Sequence, residues 1–334
     1  MGPLPEYRMK PAPPWSYTSL DIFGPMKVKG EVNKRSQSKG YGVIYNCMLS
    51  RAVHLDVTTD YDTESFLQVM RRFIAIRGAP ILIWSDVGSQ LIAASKEMKD
   101  DLAKLNQQEM LEFGSKNDID WKFAPPDAPW RNGCSEALIK SVKKAIKIAI
   151  GEQALTFSEL QTVLFEVSSL VNARPIGRHP TSVDEEVYLS PNDLLLGRST
   201  QKIPAGPFNV TTNKYVRHKL MQKIGDSFWR RWTEDFFPSL IIQQKWHVRN
   251  RNLRVDDIVM IQQESGKVKG KWRLGRIVRA EPSSRDGVVR QVEIRYKNPE
   301  SKSFSTVTRA VQRVVVISPV EHDEEYDDYL RKSC

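Results

Sequence analysis

The chain has 334 residues, enough for two or three domains, and 40% of them are hydrophobic, enough to bury a core. Lysine and arginine number 50 against 40 acids, a formal net charge of +10 that fits a polyanionic partner. No run of 18 apolar residues occurs, which excludes a membrane-spanning helix, and Cys47, Cys134 and Cys334 show no paired spacing, which argues against a disulfide framework and for a reducing, intracellular compartment.

Residues 1–14 are rich in proline and read as an extended lead-in. They lack the apolar stretch of a signal peptide, and Glu6 stands where a myristoylation signal needs Ser or Thr. A strand is predicted over Tyr17–Phe23, then a turn-rich basic stretch to Lys39, with Lys34–Gly40 as a hairpin. Strands follow at Tyr41–Met48 and Val53–Val57. A helix starts at Asp62, a good N-cap, and its apolar face is Phe66, Leu67, Val69, Met70, Phe73 and Ile74. Gly78 and Pro80 end it.

The continuous apolar run Ile81-Leu82-Ile83-Trp84 suits a central strand covered on both faces. A polar helix over Lys96–Phe113 and a short strand at Ile119–Phe123 come next. The proline-rich segment at 125–129 cannot be regular structure and leads into a helix at Ser135–Ile150. Another helix opens with Thr156 and Glu159 as a capping box, carries the stripe Leu160, Val163, Leu164, Val167, Leu170 and Val171, and stops at Arg174-Pro175. Residues from Pro180 to Pro207 read as a loop-rich connector, followed by a helix over Asn213–Phe237. Five short strands after Leu253, at Asp257–Gln262, Gly275–Ala280, Val288–Tyr296, Ser303–Thr308 and Val314–Ile317, have the spacing of a small all-β barrel. A meander followed by β-α-β units predicts a mixed sheet with helices on its faces.

Positive charge collects in that barrel. From Arg249 to Val320 there are 16 Lys/Arg against 7 Asp/Glu, whereas the tail from Glu321 to Cys334 is acidic. Lys267, Lys269, Lys271, Arg273 and Arg276 cluster around Trp272 and are candidate DNA contacts; a solvated basic surface is the plainer reading.

Three acids stand out. Asp21 lies mid-strand in SLDIFGP, where a lone charge is costly unless a cation or water relieves it. Asp86 follows the apolar strand in IWSDVGSQ, at the strand end where α/β ligands gather, though it could equally cap the next turn. Glu136 opens the helix in NGCSEALIKSVKKAI, where acids are common in any case. Lys140, Lys143, Lys144 and Lys147 share its helical face, opposite an apolar side of Leu138, Val142, Ala145 and Ala149. No acid follows on this helix until Glu152, so a phosphate backbone would supply the missing counter-charge; a solvated face is the alternative.

At these segments the chain resembles the integrases of LTR retrotransposons, most closely the Pao/BEL type. The resemblance is carried by SLDIFGP, YGVIYNCMLSRAVHLDV, RRFIAIRGAP, SDVGSQ, WKFAPP, APWRNGCSEALIKSVKKAI and VNARPIG, with RNLRVDDIVMI and GKWRLGRIV in the barrel, over about Trp15 to Ile317. It implies an α/β RNase H-like core, with a mixed five-stranded sheet and helices on both faces, over residues 15–199. A connector with a helix over 200–250, a small SH3-like all-β domain over 251–318 and an acidic tail over 319–334 complete the expected organisation. The implied activity is metal-dependent DNA 3′-end processing and strand transfer. Asp21, Asp86 and Glu136 would be a D,D,E triad holding two Mg²⁺ (or Mn²⁺) ions, and Lys140 and Lys143 would meet the DNA end. Double-stranded DNA, a homo-oligomer and action in the nucleus follow from the same resemblance, and no membrane is expected because the sequence has no apolar run long enough to span one.

Three features depart from that pattern. The gap from Asp86 to Glu136, 50 positions, exceeds the retroviral spacing, and Val87 stands where Asn is common. No His₂Cys₂ spacing for a zinc module is present, and the chain starts too late to hold one. A decayed or domesticated integrase that binds DNA without catalysis, or a transposase or nuclease of the same fold, are the alternatives.

Overall fold

The computed structural model describes residues 11–30, 36–85, 106–123, 133–178, 188–197, 216–239, 251–262, 272–284, 286–297 and 303–320. Within them, the side chains at 133–136, 178, 188, 216–219, 222, 239 and 262 are not described.

The main sheet is built from β1 (Tyr17–Lys29), β2 (Gln37–Cys47), β3 (Val53–Thr58), β4 (Leu82–Ser85) and β5 (Asp120–Phe123) in the order β3-β2-β1-β4-β5. The first three strands pair antiparallel, and β4 and β5 join parallel to β1. A meander on one side and parallel strands on the other, with helices on both faces, is the RNase H-like arrangement. A two-residue β6 (Leu155–Thr156) adds to the far end of β1.

Two cores form because β1 and β2 alternate. Leu20, Ile22, Tyr41, Val43 and Tyr45 face α1 (Thr63–Arg77) and α2 (Gln107–Lys116). Ile44 and the β3 residues Val53, Leu55 and Val57 pack with α3 (Gly133–Ile150), α4 (Phe157–Asn172) and α6 (Val216–Ser239). Helix starts follow the expected chemistry. Asp62 Oδ1 accepts from the Ser65 amide at 2.7 Å, and Thr156 with Glu159 forms the reciprocal capping box ahead of α4. Gly78 ends α1 at φ +89°, a conformation that favours glycine.

The edge strand β3 does not expose its ladder. Asn172 of α4 accepts from the Val53 amide and donates to its carbonyl, both at 2.7 Å, and Ser168 Oγ accepts from the Leu55 amide at 2.9 Å. Asp56, fully buried, accepts from Val57 N, Arg72 Nε and Gln161 Nε2. Helix side chains therefore stand in for a missing strand and close the edge to foreign pairing.

Beside them His54 lies between Tyr45, Phe73 and Trp15. Burial, aided by Arg77, pushes its pKa down from 6.5 to about 4, so the folded protein holds it neutral. An unfolded chain takes up this proton as pH falls below 6.5, and the folded chain does so only near 4. The His54 contribution to stability is thus complete above pH 6.5 and is lost between 6.5 and 4, by roughly 3 kcal/mol at the acid end. Urea unfolding across this window should show that acid loss in the wild type and a flatter profile in His54→Asn.

The second sheet, β9 (Ile258–Gln262), β10 (Trp272–Pro282), β11 (Val289–Lys297), β12 (Phe304–Ala310) and β13 (Val314–Ser318), has the order β12-β11-β10-β9-β13 and its own core of Val259, Ile261, Ile277, Val292 and Ile294. Arg251 holds the fully buried Asp257 through two bonds of 2.8 Å, and the same carboxylate accepts from Arg254 N and Val320 N, drawing the two ends of the domain together.

Several expected boundaries move. β1 runs on to Lys29 and β2 starts at Gln37, because the Met26–Lys29 and Gln37–Gly40 segments pair with each other; the expected basic turn is strand at both ends. Of the helix expected over Lys96–Phe113, the described part begins at Gln107 and continues to Lys116, and residues 86–105 lie outside the described residues. The expected loop after Pro180 holds a second, short strand β8 (Tyr188–Leu189), paired with β7 (Gly177–Arg178), and α5 (Pro191–Leu196). The helix placed in the connector, α6, buries Ile224, Phe228 and Trp232 in the core beneath α3 and α4. Its far end puts Phe237 against Met260, Val315 and Trp272 of the small domain. It is a core element that also holds the barrel. Among the described residues no helix is long and apolar enough to cross a membrane.

Candidate active site

Asp21 sits in the middle of β1, the strand flanked by β2 and β4 at the centre of the sheet, on the face covered by α3. Its side chain is 16% exposed. Oδ1 accepts from the Ile22 amide at 2.7 Å, and Oδ2 forms an ion pair with the Lys143 ammonium from α3. Lys143 Nζ also lies 3.4 Å from the Ile22 carbonyl oxygen and 5.9 Å from the Phe23 ring centroid. The Phe23 ring can lie there because its cross-strand partner is Gly42; a Cβ at that position would meet the ring at 2.2 Å. Strand, glycine and helix together fix one carboxylate against one ammonium.

The described part of β4 ends with Ser85, the residue before Asp86, and Ser85 pairs with Leu20, the residue before Asp21. Asp86 itself lies outside the described residues. Glu136 belongs to α3, two helical turns before Lys143, and that spacing puts their backbone positions on one face of the helix. Its side chain lies outside the described part.

The lysine stripe divides. Lys140 and Lys147 are exposed. Lys143 faces β1, and Lys144 pairs with Asp235 of α6 at 2.7 Å, a surface pair worth less than about 1 kcal/mol. Asp21 and Asp235 thus supply counter-charge from outside α3, so the stripe's repulsion is relieved for two of its lysines without a phosphate. Asp235 was not legible in the sequence, since its helix has no motif that names its neighbour.

In the barrel, Arg273 lies over the Tyr296 ring at 5.3 Å and Arg276 contacts Asp256 at 3.3 Å. Lys267, Lys269 and Lys271 lie outside the described residues. A basic feature the sequence reading passed over is Arg295, whose guanidinium lies 5.1 Å from the exposed Phe304 ring. The alternation of β11 and β12 would have placed both on the outward face.

A divalent cation suits this setting on chemical grounds. The donor at Asp21 is a hard oxygen, its second oxygen already holds a cationic group, and one buried oxygen on the same face, Ser19 Oγ, has no hydrogen-bond partner among the described residues. Among the described residues no group of three His, Cys, Asp or Glu converges.

Residues 216–317 match a family of unknown function (DUF5641), a stretch that takes in α6 and the barrel as one unit. No curated protein matches the chain. Among solved structures, the chain is similar to the HTLV-2 integrase catalytic core domain in complex with magnesium in its trimeric form. The identity is 13% and the TM-score 0.35, over 56% of this chain and 99% of that one. It is also similar to a chain of the simian T-cell lymphotropic virus intasome in complex with PP2A regulatory subunit B56 gamma, at 10% identity and TM-score 0.34, over 93% of this chain and 81% of that one. The fold assignment rests on the strand order and not on these distant similarities.

Proposed function

We propose that this chain is an integrase-type polynucleotidyl transferase of the Pao/BEL kind its motifs resemble, trimming and joining 3′ ends of double-stranded DNA. The observation that carries the reading is the Lys143–Asp21 contact, which docks the helix bearing Glu136 onto the central strand bearing Asp21. With β4 ending beside Leu20, a strand that continued its alternation past Ser85 would put Asp86 on the face of Asp21. Asp21, Asp86 and Glu136 are then the residues that would hold Mg²⁺ or Mn²⁺. Two such ions supply Lewis-acid stabilisation of the attacking and leaving oxygens in an in-line displacement at phosphorus.

The chain's own groups do the rest. Lys140 and Lys147, exposed on the same helix, would neutralise phosphates and orient the end. The basic barrel would bind the duplex backbone without sequence preference, and α6 packs against both the core and that barrel. A homo-oligomer acting in the nucleus belongs to the same proposal.

A second reading, a DNA-binding protein without catalysis, is favoured by one observation: Asp21 is already neutralised by Lys143. Incubation with a labelled duplex carrying a recessed 3′ end and a plasmid target, with Mg²⁺ or Mn²⁺, separates the two. Joined product supports the transferase; tight binding with no cut or joined product over hours supports the second reading.

A further inference from the structure

We propose that Lys143 is the resident counter-ion of the metal site, occupying the cation seat at Asp21 until a divalent ion displaces it, and that the displaced ammonium then serves the DNA end. The inference rests on the reading that Asp21 is a metal ligand. Three groups that attract cations converge on the Lys143 ammonium: the Asp21 carboxylate, the Ile22 carbonyl oxygen and the face of the Phe23 ring. The seat is largely closed, with the lysine side chain 19% exposed and the aspartate 16%. A half-buried carboxylate without a partner is unstable, so a protein that must exist both with and without metal needs a substitute cation there.

A divalent ion and an ammonium cannot share this seat, because like charges at contact distance repel strongly when half-buried. The stem of Lys143 leaves α3 between Lys140 and Lys147, each about one turn away and both exposed. An ammonium swung out of the seat would complete a row of three lysines on that face, spaced as phosphate partners. Metal loading and DNA binding would therefore reinforce each other, and by linkage each must strengthen the other equally.

The experiment titrates Mn²⁺ alone into the full chain by calorimetry and by thermal melting, for wild type, Asp21→Asn, Lys143→Met and Lys143→Gln. The second lysine variant keeps a polar stem should the first fold poorly. The expected result is wild-type Mn²⁺ binding that Asp21→Asn removes, and binding at least about tenfold tighter in the lysine variants, since a charge-assisted competitor has gone. Without metal the lysine variants should melt below wild type, and Mn²⁺ should raise their melting temperature more than it raises the wild type's. In parallel, Mn²⁺ should tighten duplex binding by wild type but not by Lys143→Met. A purely structural ion pair would lower the melting temperature without raising metal affinity. Mn²⁺ affinity unchanged or weaker in both lysine variants, with binding still sensitive to Asp21→Asn, overturns the proposal and leaves the metal site standing. Mn²⁺ binding indifferent to Asp21→Asn overturns both.

Discussion

Asp21→Asn should reduce end joining by at least about a thousandfold, because members of a catalytic group that act as a unit fail together when one is removed. The change is nearly isosteric and the mid-strand position keeps its backbone pairing with Ile44. Duplex binding should stay within about twofold of wild type, since the basic surface is untouched and one negative charge has been removed. Because Lys143 loses its partner, a melting curve belongs beside the assay. A folded variant that joins DNA at near the wild-type rate would remove Asp21 from the mechanism.

The second large effect is on stability. Trp232 is fully buried, stacks on Phe236 with ring centroids 4.5 Å apart and contacts Phe228, Trp229 and Phe237. The ladder continues through Phe237 to Trp272 of the barrel at 5.3 Å. Trp232→Ala should therefore cost about 3–5 kcal/mol by urea unfolding. A linker helix between independent domains would lose far less, below about 1 kcal/mol, and that outcome would show that α6 is not part of the core.

Much of the fold was legible because local chemistry decided it. The Asp62 cap, the Thr156–Glu159 capping box and the apolar faces of α1 and α4 needed only spacing to be found. The extent of β1 was not, since Met26 to Lys29 look like a basic turn and become strand only through pairing with residues on β2. The position of α6 was hidden for a similar reason: periodicity reveals an apolar face but not the surface it covers.

At the site, Asp21 announced itself as a charge inside an apolar strand. The different fates of Lys143 and Lys144 did not, because adjacent positions on one helix face look alike until neighbours are known. One meets Asp21 on β1 and the other Asp235 on α6. The edge of β3, closed by Asn172 and Ser168, was equally silent in sequence, since it needs a contact across more than a hundred residues.

The central claim is that three carboxylates distant in sequence share metal ions. Crystals of the full chain soaked in Mn²⁺, with anomalous scattering collected at the manganese edge, test it most directly. The account predicts two manganese peaks roughly 3.5–4 Å apart, ligated by Asp21, Asp86 and Glu136, with the Lys143 ammonium moved off Asp21. Manganese bound elsewhere, or Asp86 or Glu136 turned to a different face from Asp21 with the metal present, would contradict it.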